Sequence, residues 1–522
     1  MKKTKCLSLI LAVSILPQMS SLTASGEKPP SDQTSRLPNI VIFLVDDMGP
    51  MDTSVPMLTD NEGNPKRYPL NDYYRTPNME RLAARGVRFS NFYAHTVCSP
   101  SRITILTGQN SARHRTTDYI HAYENNRDMD NKRFPLAINQ QVPPEWNWEG
   151  LKKKDVTLPA VLKQSGYATI HIGKAHFAPD QHEGADPRNL GFDVNIGGSA
   201  IGRPASYYGE KGYGKGTEVA VPHLEKYHDT DTYLTEALTL EAKAELDKVI
   251  AAGRPFFLHM SHYAVHSPFN PDSRFLKNYK KGKGQAFATM VEGMDKSLGD
   301  LMDHLGAKGV AENTLIIFLG DNGSDAPLGD PNAVAGSAPL RGKKGSRWEG
   351  GVRVPFIVAW AKANPDNRWQ QKLPIPGGSI RSEVGNCADL FPTITSLIGA
   401  RAPDNHPADG QNLTKLLAGK PDPERRNEFL SHYPHPRSGR GNHFFTLYRQ
   451  GNWKVVHRYL TEKNRYELYD LKNDPSESKN LAARRPQKLK SMLQSMVREL
   501  EAMDALYPVV DGKTIKPVIP DP

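Results

Sequence analysis

Four unbroken apolar runs, each closing on polar residues capable of chemistry, set the strongest limit on how this chain folds. Asn39–Val45 leads into Asp46-Asp47, and residues 168–172 lead into Gly173-Lys174-Ala175-His176. Residues 256–260 run towards His266, and 314–319 lead into Gly320-Asp321-Asn322-Gly323. A half-exposed strand alternates apolar and polar residues, whereas a strand covered on both faces is apolar throughout. Helical patterning over 157–165 and 286–305 lies between the runs. The alternation predicts an α/β domain with a large, mixed but mostly parallel sheet flanked by helices. In such sheets ligands gather beyond the carboxyl ends of the strands, so the four polar ends should share one site.

Past about residue 430 the pattern changes. Residues 444–448, 453–457 and 466–471 read as short antiparallel strands. A helix follows, with Leu489, Met492, Leu493, Met496, Leu500 and Met503 on one face, a stripe that serves core packing. With 522 residues the chain is too long for one ordinary core. The expected organisation is a signal peptide at 1–24, a leader at 25–36, a catalytic domain at 37–429 and a C-terminal α+β subdomain at 430–522.

Lys2, Lys3 and Lys5 precede an apolar run from Cys6 to Leu16, followed by small residues up to Ala24. That is the layout of an export signal, and the run falls short of the roughly 18 residues that span a bilayer. The expected protein is exported, periplasmic or secreted, without stable membrane insertion. Its formal charge of +10 comes from scattered residues with no long Lys/Arg block beyond the start, which argues against nucleic acid and is compatible with an anionic substrate.

The three cysteines are Cys6, Cys98 and Cys387, so an exported chain keeps two. A Cys98–Cys387 disulfide would be the plainest use for them. The surroundings of Cys98 suggest another. Ser99 can cap a helix, Pro100 suits a first helical position and Gly108 can end it. Cys98 would then sit just before a helix N-terminus, where backbone N–H groups favour an anion, with Arg102 four residues on.

The run Cys98-Ser99-Pro100-Ser101-Arg102, continuing to Gly108, resembles the signature of the type I (formylglycine-dependent) sulfatase family of the alkaline phosphatase superfamily. The resemblance extends from about Pro38 to Ala482 and implies an alkaline-phosphatase-like fold. It implies that a formylglycine-generating maturation enzyme oxidises Cys98 to formylglycine. The hydrated aldehyde is a geminal diol: one oxygen attacks sulfur, and the other expels sulfate by reforming the aldehyde.

Asp46-Asp47 and Asp321-Asn322 are oxygen-rich pairs suited to a hard cation. The resemblance makes them ligands of one calcium ion, preferred over magnesium, together with an oxygen of the residue derived from Cys98. Lys174 and His176 match the family's Gly-Lys-aromatic-His element, with Ala175 departing at the aromatic position. The resemblance assigns Lys174 to sulfate and diol oxygens, His176 to the base that triggers sulfate release, and His266 to contact with the ester and protonation of the leaving alcohol. Lys344, rather than Lys343, matches the second sulfate-binding lysine, and Arg102 completes the charged set.

The expected activity is hydrolysis of a sulfate monoester, with a sulfated carbohydrate as the substrate by family analogy. The alternatives are a phosphonate or phosphate ester hydrolase of the same superfamily and a non-catalytic glycan-binding protein. Tyr119, His121, Tyr123, Trp146, Trp148, Tyr207 and Tyr208 could stack on sugars or pack on the domain. His435 and Arg437 could meet sugar hydroxyls, although a solvated loop accounts for them more simply.

Overall fold

The computed structural model describes residues 37–123, 141–436 and 444–520. The expected signal and leader, and Arg437, lie outside the described residues.

The apolar runs become neighbouring strands. In chain order the main sheet contains β1 (Asn39–Val45), β2 (Val87–Phe89), β3 (Ala168–Gly173), β4 (Val194–Ile196), β5 (Phe256–Ser261), β6 (Thr314–Gly320), β7 (Phe356–Trp360) and β8 (Ser379–Arg381). Their order across the sheet is β8-β2-β7-β6-β1-β5-β3-β4. Strand β7 runs antiparallel to both β6 and β2, and the remaining pairs are parallel. Register sets Leu44 of β1 against Ser261 of β5, and Val45 against Gly320 of β6. The polar residues that follow these strands therefore emerge side by side.

Both faces of the sheet are covered, which is why the runs lack alternation. Val41, Phe43 and Val45 face a core shared with the helices α1 (Pro77–Arg85), α4 (Leu234–Ala251) and α5 (Gln285–Ala307). Ile40, Ile42 and Leu44 face a second core with α2 (Cys98–Thr107), α3 (Leu158–Gln164) and α6 (Leu390–Ile398). Each fully buried aliphatic side chain of this size contributes about 1.5–3 kcal/mol, so the strand ends stand on a rigid base.

A separate antiparallel sheet follows in the order β9 (Glu428–Tyr433), β10 (Phe445–Gln450), β11 (Trp453–Arg458) and β12 (Tyr466–Asp470). The helix α7 (Pro486–Ala502) lays Leu489, Met492, Leu493, Met496 and Leu500 on one face of it, beside Val455 and Leu468. Phe429, Phe445, Leu447 and Val456 of this sheet pack with Tyr93, Val97 and Val352 of the larger part. The Met-rich stripe is core, as its spacing predicts. Among the described residues no helix is long and apolar enough to cross a membrane.

Candidate active site

Backbone hydrogen bonds lock the strand ends together. Asp46 N–H donates to the Ala264 carbonyl (2.9 Å), Asp321 N–H to Val45 (3.0 Å) and Lys174 N–H to Ser261 (2.7 Å). Asp47 and His176 both hold positive φ, at 60° and 59°. Side chains other than glycine seldom accept that conformation, and such strain gathers at functional sites. Gly173, at φ 99°, lets the chain turn from β3 into Lys174, since a Cβ there would overlap the Ser261 carbonyl oxygen.

Cys98 is the first residue of α2, and Val97 occupies the cap position without a side-chain hydrogen bond. The expected Ser99 cap does not form. Ser99 lies inside the first turn, and its Oγ accepts from Ile120 N–H at 3.0 Å, a tertiary contact that outcompetes the local one. Gly108 ends the helix in the left-handed conformation, its N–H on the Thr104 carbonyl. Cys98 and Cys387 are both free and buried, so the disulfide reading is set aside.

Around Cys98 the side chains converge. Cys98 Sγ lies 3.3 Å from His176 Nδ1, while His176 Nε2 stands 2.6 Å from the Ile120 carbonyl oxygen. The carbonyl can only accept, so Nε2 carries the hydrogen and Nδ1 faces Cys98 as an acceptor. Lys174 Nζ donates to Asp46 Oδ2 (2.6 Å), and Lys344 Nζ lies 2.5 Å from Asp47 Oδ1. Lys343 turns instead to Asp325 and the Ala326 carbonyl. His266 Nδ1 faces the Ser267 carbonyl (2.7 Å), directing Nε2 towards Asp47 Oδ2 at 3.6 Å.

Arg102 interacts electrostatically with Cys98 and hydrogen-bonds the groups around it. Its guanidinium passes under the carboxylates, with Nε on Asp321 Oδ2 (2.8 Å) and Nη1 on Ser261 Oγ (2.8 Å) and the Lys174 carbonyl (2.9 Å). Ser261 Oγ in turn donates to that carbonyl at 2.7 Å. Ser261 was not singled out from sequence, although a hydroxyl closing an apolar strand was a usable signal.

Asp46, Asp47 and Asp321 are fully buried, and one oxygen from each falls within 4.8 Å of the others. Burial pushes Asp46 and Asp321 up to about 6. It pushes Asp47 the same way, but Lys344, His266 and Lys174 outweigh it and hold that carboxyl well below the usual range. Burial, with Lys344, pulls His266 down to about 3, and burial with Lys174 holds His176 well below the usual imidazole range. Both imidazoles are therefore neutral here. Asp46 Oδ1, Asp47 Oδ2 and Asn322 Oδ1 are buried without a hydrogen-bond donor. Buried oxygens of this kind are costly unless something satisfies them. An all-oxygen set of three carboxylates and one amide fits a hard divalent cation and does not fit zinc, which favours Cys and His.

The aromatic candidates mostly pack. Tyr207 donates to the Tyr263 and His266 carbonyls, Tyr208 to Pro271, and Trp146 sits edge-on to His435. Trp148 meets His182, and Tyr119 packs against the second sheet's core. Tyr123 is 47% exposed. His435 is not solvated: it is fully buried, with Nε2 2.7 Å from Thr117 Oγ1. The segment carrying Thr117 and His121 also supplies the Ile120 carbonyl that orients His176.

A family model described as Sulfatase matches residues 38–400, and one described as N-sulphoglucosamine sulphohydrolase, C-terminal, matches 344–505. The N-acetylgalactosamine-6-sulfatase of Canis lupus familiaris is 30% identical over 407 residues, covering 73% of this chain and 66% of that protein. The chain thus spans just under two thirds of that relative's length. A protein named Sulfatase from Formosa agariphila is 26% identical, covering 90% of this chain and 88% of its own. Among solved structures, Ps i-CgsB superposes with a TM-score of 0.68 at 24% identity, covering 89% of this chain and 93% of its own. Its fold has also been solved in complex with k-i-k-neocarrahexaose.

Proposed function

The chain belongs to the sulfatase family, and on that premise we propose that it hydrolyses the sulfate monoester of a carbohydrate, using formylglycine made from Cys98 and one calcium ion. The observation that carries this reading is the cluster of three buried oxygens without a hydrogen-bond donor, those of Asp46, Asp47 and Asn322, beside Lys174 and Lys344, with Cys98 held 3.3 Å from His176. A carbohydrate substrate is favoured by the names of the relatives, among them an N-acetylgalactosamine-6-sulfatase and a fold neighbour solved with a neocarrahexaose.

Asp46, Asp47, Asp321 and Asn322 would hold the calcium ion, which when bound polarises the sulfuryl oxygens. Hydrated formylglycine would supply a hydroxyl for attack on sulfur and a second hydroxyl whose deprotonation releases sulfate. The chain's own side chains do the rest. His176 Nδ1, oriented by the Ile120 carbonyl, accepts a proton at position 98. Lys174 and Lys344 offer fixed positive charge to the sulfuryl oxygens, preorganised electrostatics of the kind that usually dominates rate enhancement. Arg102 acts as a positioning residue, holding Asp321 and the Lys174 backbone. His266, which keeps some exposure beside Asp47, is assigned to the leaving oxygen. A bound anion favours its imidazolium form, from which it can protonate that oxygen.

Residues 1–24 act as an export signal and 25–36 as a leader, residues 37–429 carry the chemistry, and 430–522 form the subdomain, a boundary that strand β9 moves back to Glu428. Modification of Cys98 by the maturation enzyme precedes folding, because the folded chain buries it. Initial rates on a matched pair of esters, one sulfate and one phosphate, test the reaction class. Faster sulfate release supports the proposal, and a large preference for phosphate or phosphonate replaces it with the sister activity.

A further inference from the structure

A cavity of about 620 Å³ opens between the 58–66 hairpin and the antiparallel sheet, and shares no lining residue with the Cys98 site. Asn61, Lys66, Tyr68, Arg353, Arg449 and Asn452 line it. Arg353 and Arg449 belong to a buried cluster behind this lining that has more positive than negative charge. Glu349 takes Arg353 (2.5 Å) and Lys454 (3.1 Å), and Glu477 takes the same Lys454 (2.7 Å). Arg449 is left 3.7 Å from Glu349, so this buried cluster sets three cations against two carboxylates.

The surplus falls on Arg449. It is 3% exposed, its Nε donates to the Gly451 carbonyl, and its Nη1 donates to Asn91 Oδ1 and the Tyr93 hydroxyl. Among the described residues Nη2 has no acceptor. Burial lowers the guanidinium to about 9, the mark of a cation short of compensating charge. A planar guanidinium with an idle N–H suits an oxyanion. At the mouth, Lys66 Nζ sits over the Tyr68 ring, 5.2 Å from its centre, so an aromatic ring and a second cation meet there. Asp60, on the same rim, is committed to its own hairpin turn through the N–H groups of Glu62 and Asn64.

We propose that this cavity is a second saccharide site, in which Arg449 receives the acid group of a sugar while Tyr68, Lys66 and the flanking asparagines hold its ring and hydroxyls. The inference rests on the carbohydrate reading above and extends it: the protein grips an acidic glycan at a place remote from the reacting ester. The acid can be a sulfate ester or a uronic carboxylate, since both present oxygens to a guanidinium.

Calorimetric titration of the full chain tests this in a Cys98→Ala background, where nothing is turned over. The probes are a sulfated galactan hexasaccharide, its desulfated form, an oligogalacturonate and sodium sulfate. Two classes of site are expected with an acidic oligosaccharide, and the one that binds better identifies the acid. Arg449→Gln should remove one class. The rim pair Lys66→Ala with Tyr68→Ala, which leaves the buried network intact, should weaken the same class about 10-fold. With Cys98 present, the rim pair should leave hydrolysis of a small sulfate ester unchanged and raise KM for the polymer. A single class of site that Arg449→Gln leaves intact, a rim variant indistinguishable from its parent, equal binding of the desulfated glycan, or sodium sulfate matching the saccharide would each overturn the proposal. Failure to hydrolyse any sulfate ester leaves these titrations readable, so the two readings fail separately.

Discussion

Lys174 Nζ donates to Asp46 Oδ2 at 2.6 Å, and neither side chain has any contact with solvent. Removing one partner of a buried pair strands the other charge, at a cost of about 3–5 kcal/mol. Lys174→Met should therefore lower calcium-free stability by that order in denaturant titration. Taking a positive charge from beside three carboxylates should leave calcium affinity equal or stronger, while kcat falls about 100- to 1000-fold. Weaker calcium binding in this variant would contradict the arrangement.

Calcium should raise the unfolding midpoint. A ligand present at 100 times its Kd adds about 2.7 kcal/mol to the folded state. Thermal scans with calcium and with a chelator should differ accordingly, and Asp321→Asn should shrink the difference. Equal midpoints would remove the ion from the account.

His266→Ala should distinguish leaving groups. General acid assistance contributes about 100- to 10,000-fold when the leaving oxygen is basic. A sugar sulfate should therefore lose far more rate than an activated aryl sulfate. Equal losses on both would assign His266 to binding alone.

Ser261→Ala removes the hydroxyl that joins Arg102 to the Lys174 carbonyl. An unsatisfied buried donor costs about 1–3 kcal/mol, so the midpoint should fall. Activity should fall with kcat and leave KM little changed, because Ser261 positions Lys174 without reaching the ester. Ser261→Thr, which keeps the hydroxyl, should recover part of both losses.

The central strands were legible because burial on both faces writes itself into sequence as continuous apolar runs. Strands β2, β4 and β8, of three residues each, are too short to carry a period. Strand β9 starts at Glu428, and its pairing with β10 is a tertiary fact. Local capping logic chose Ser99, whose hydroxyl is instead taken by Ile120, a distant residue. His435 reads as loop from its neighbours, but Thr117, 318 positions away, holds it in the interior. Spacing set Arg102 near Cys98, while its side-chain direction is decided by Asp321 and Ser261 from other strands. Motifs thus picked out residues that the fold brings together, and non-local packing decided which way they point.

The central claim is that Cys98 is a precursor and not the working nucleophile. The most direct test is the intact mass of the Cys98 peptide from protein made in its native host, read beside activity. The account predicts formylglycine at position 98 in active protein, and loss of both in Cys98→Ala. A fully active enzyme whose Cys98 remains an unmodified thiol would contradict it.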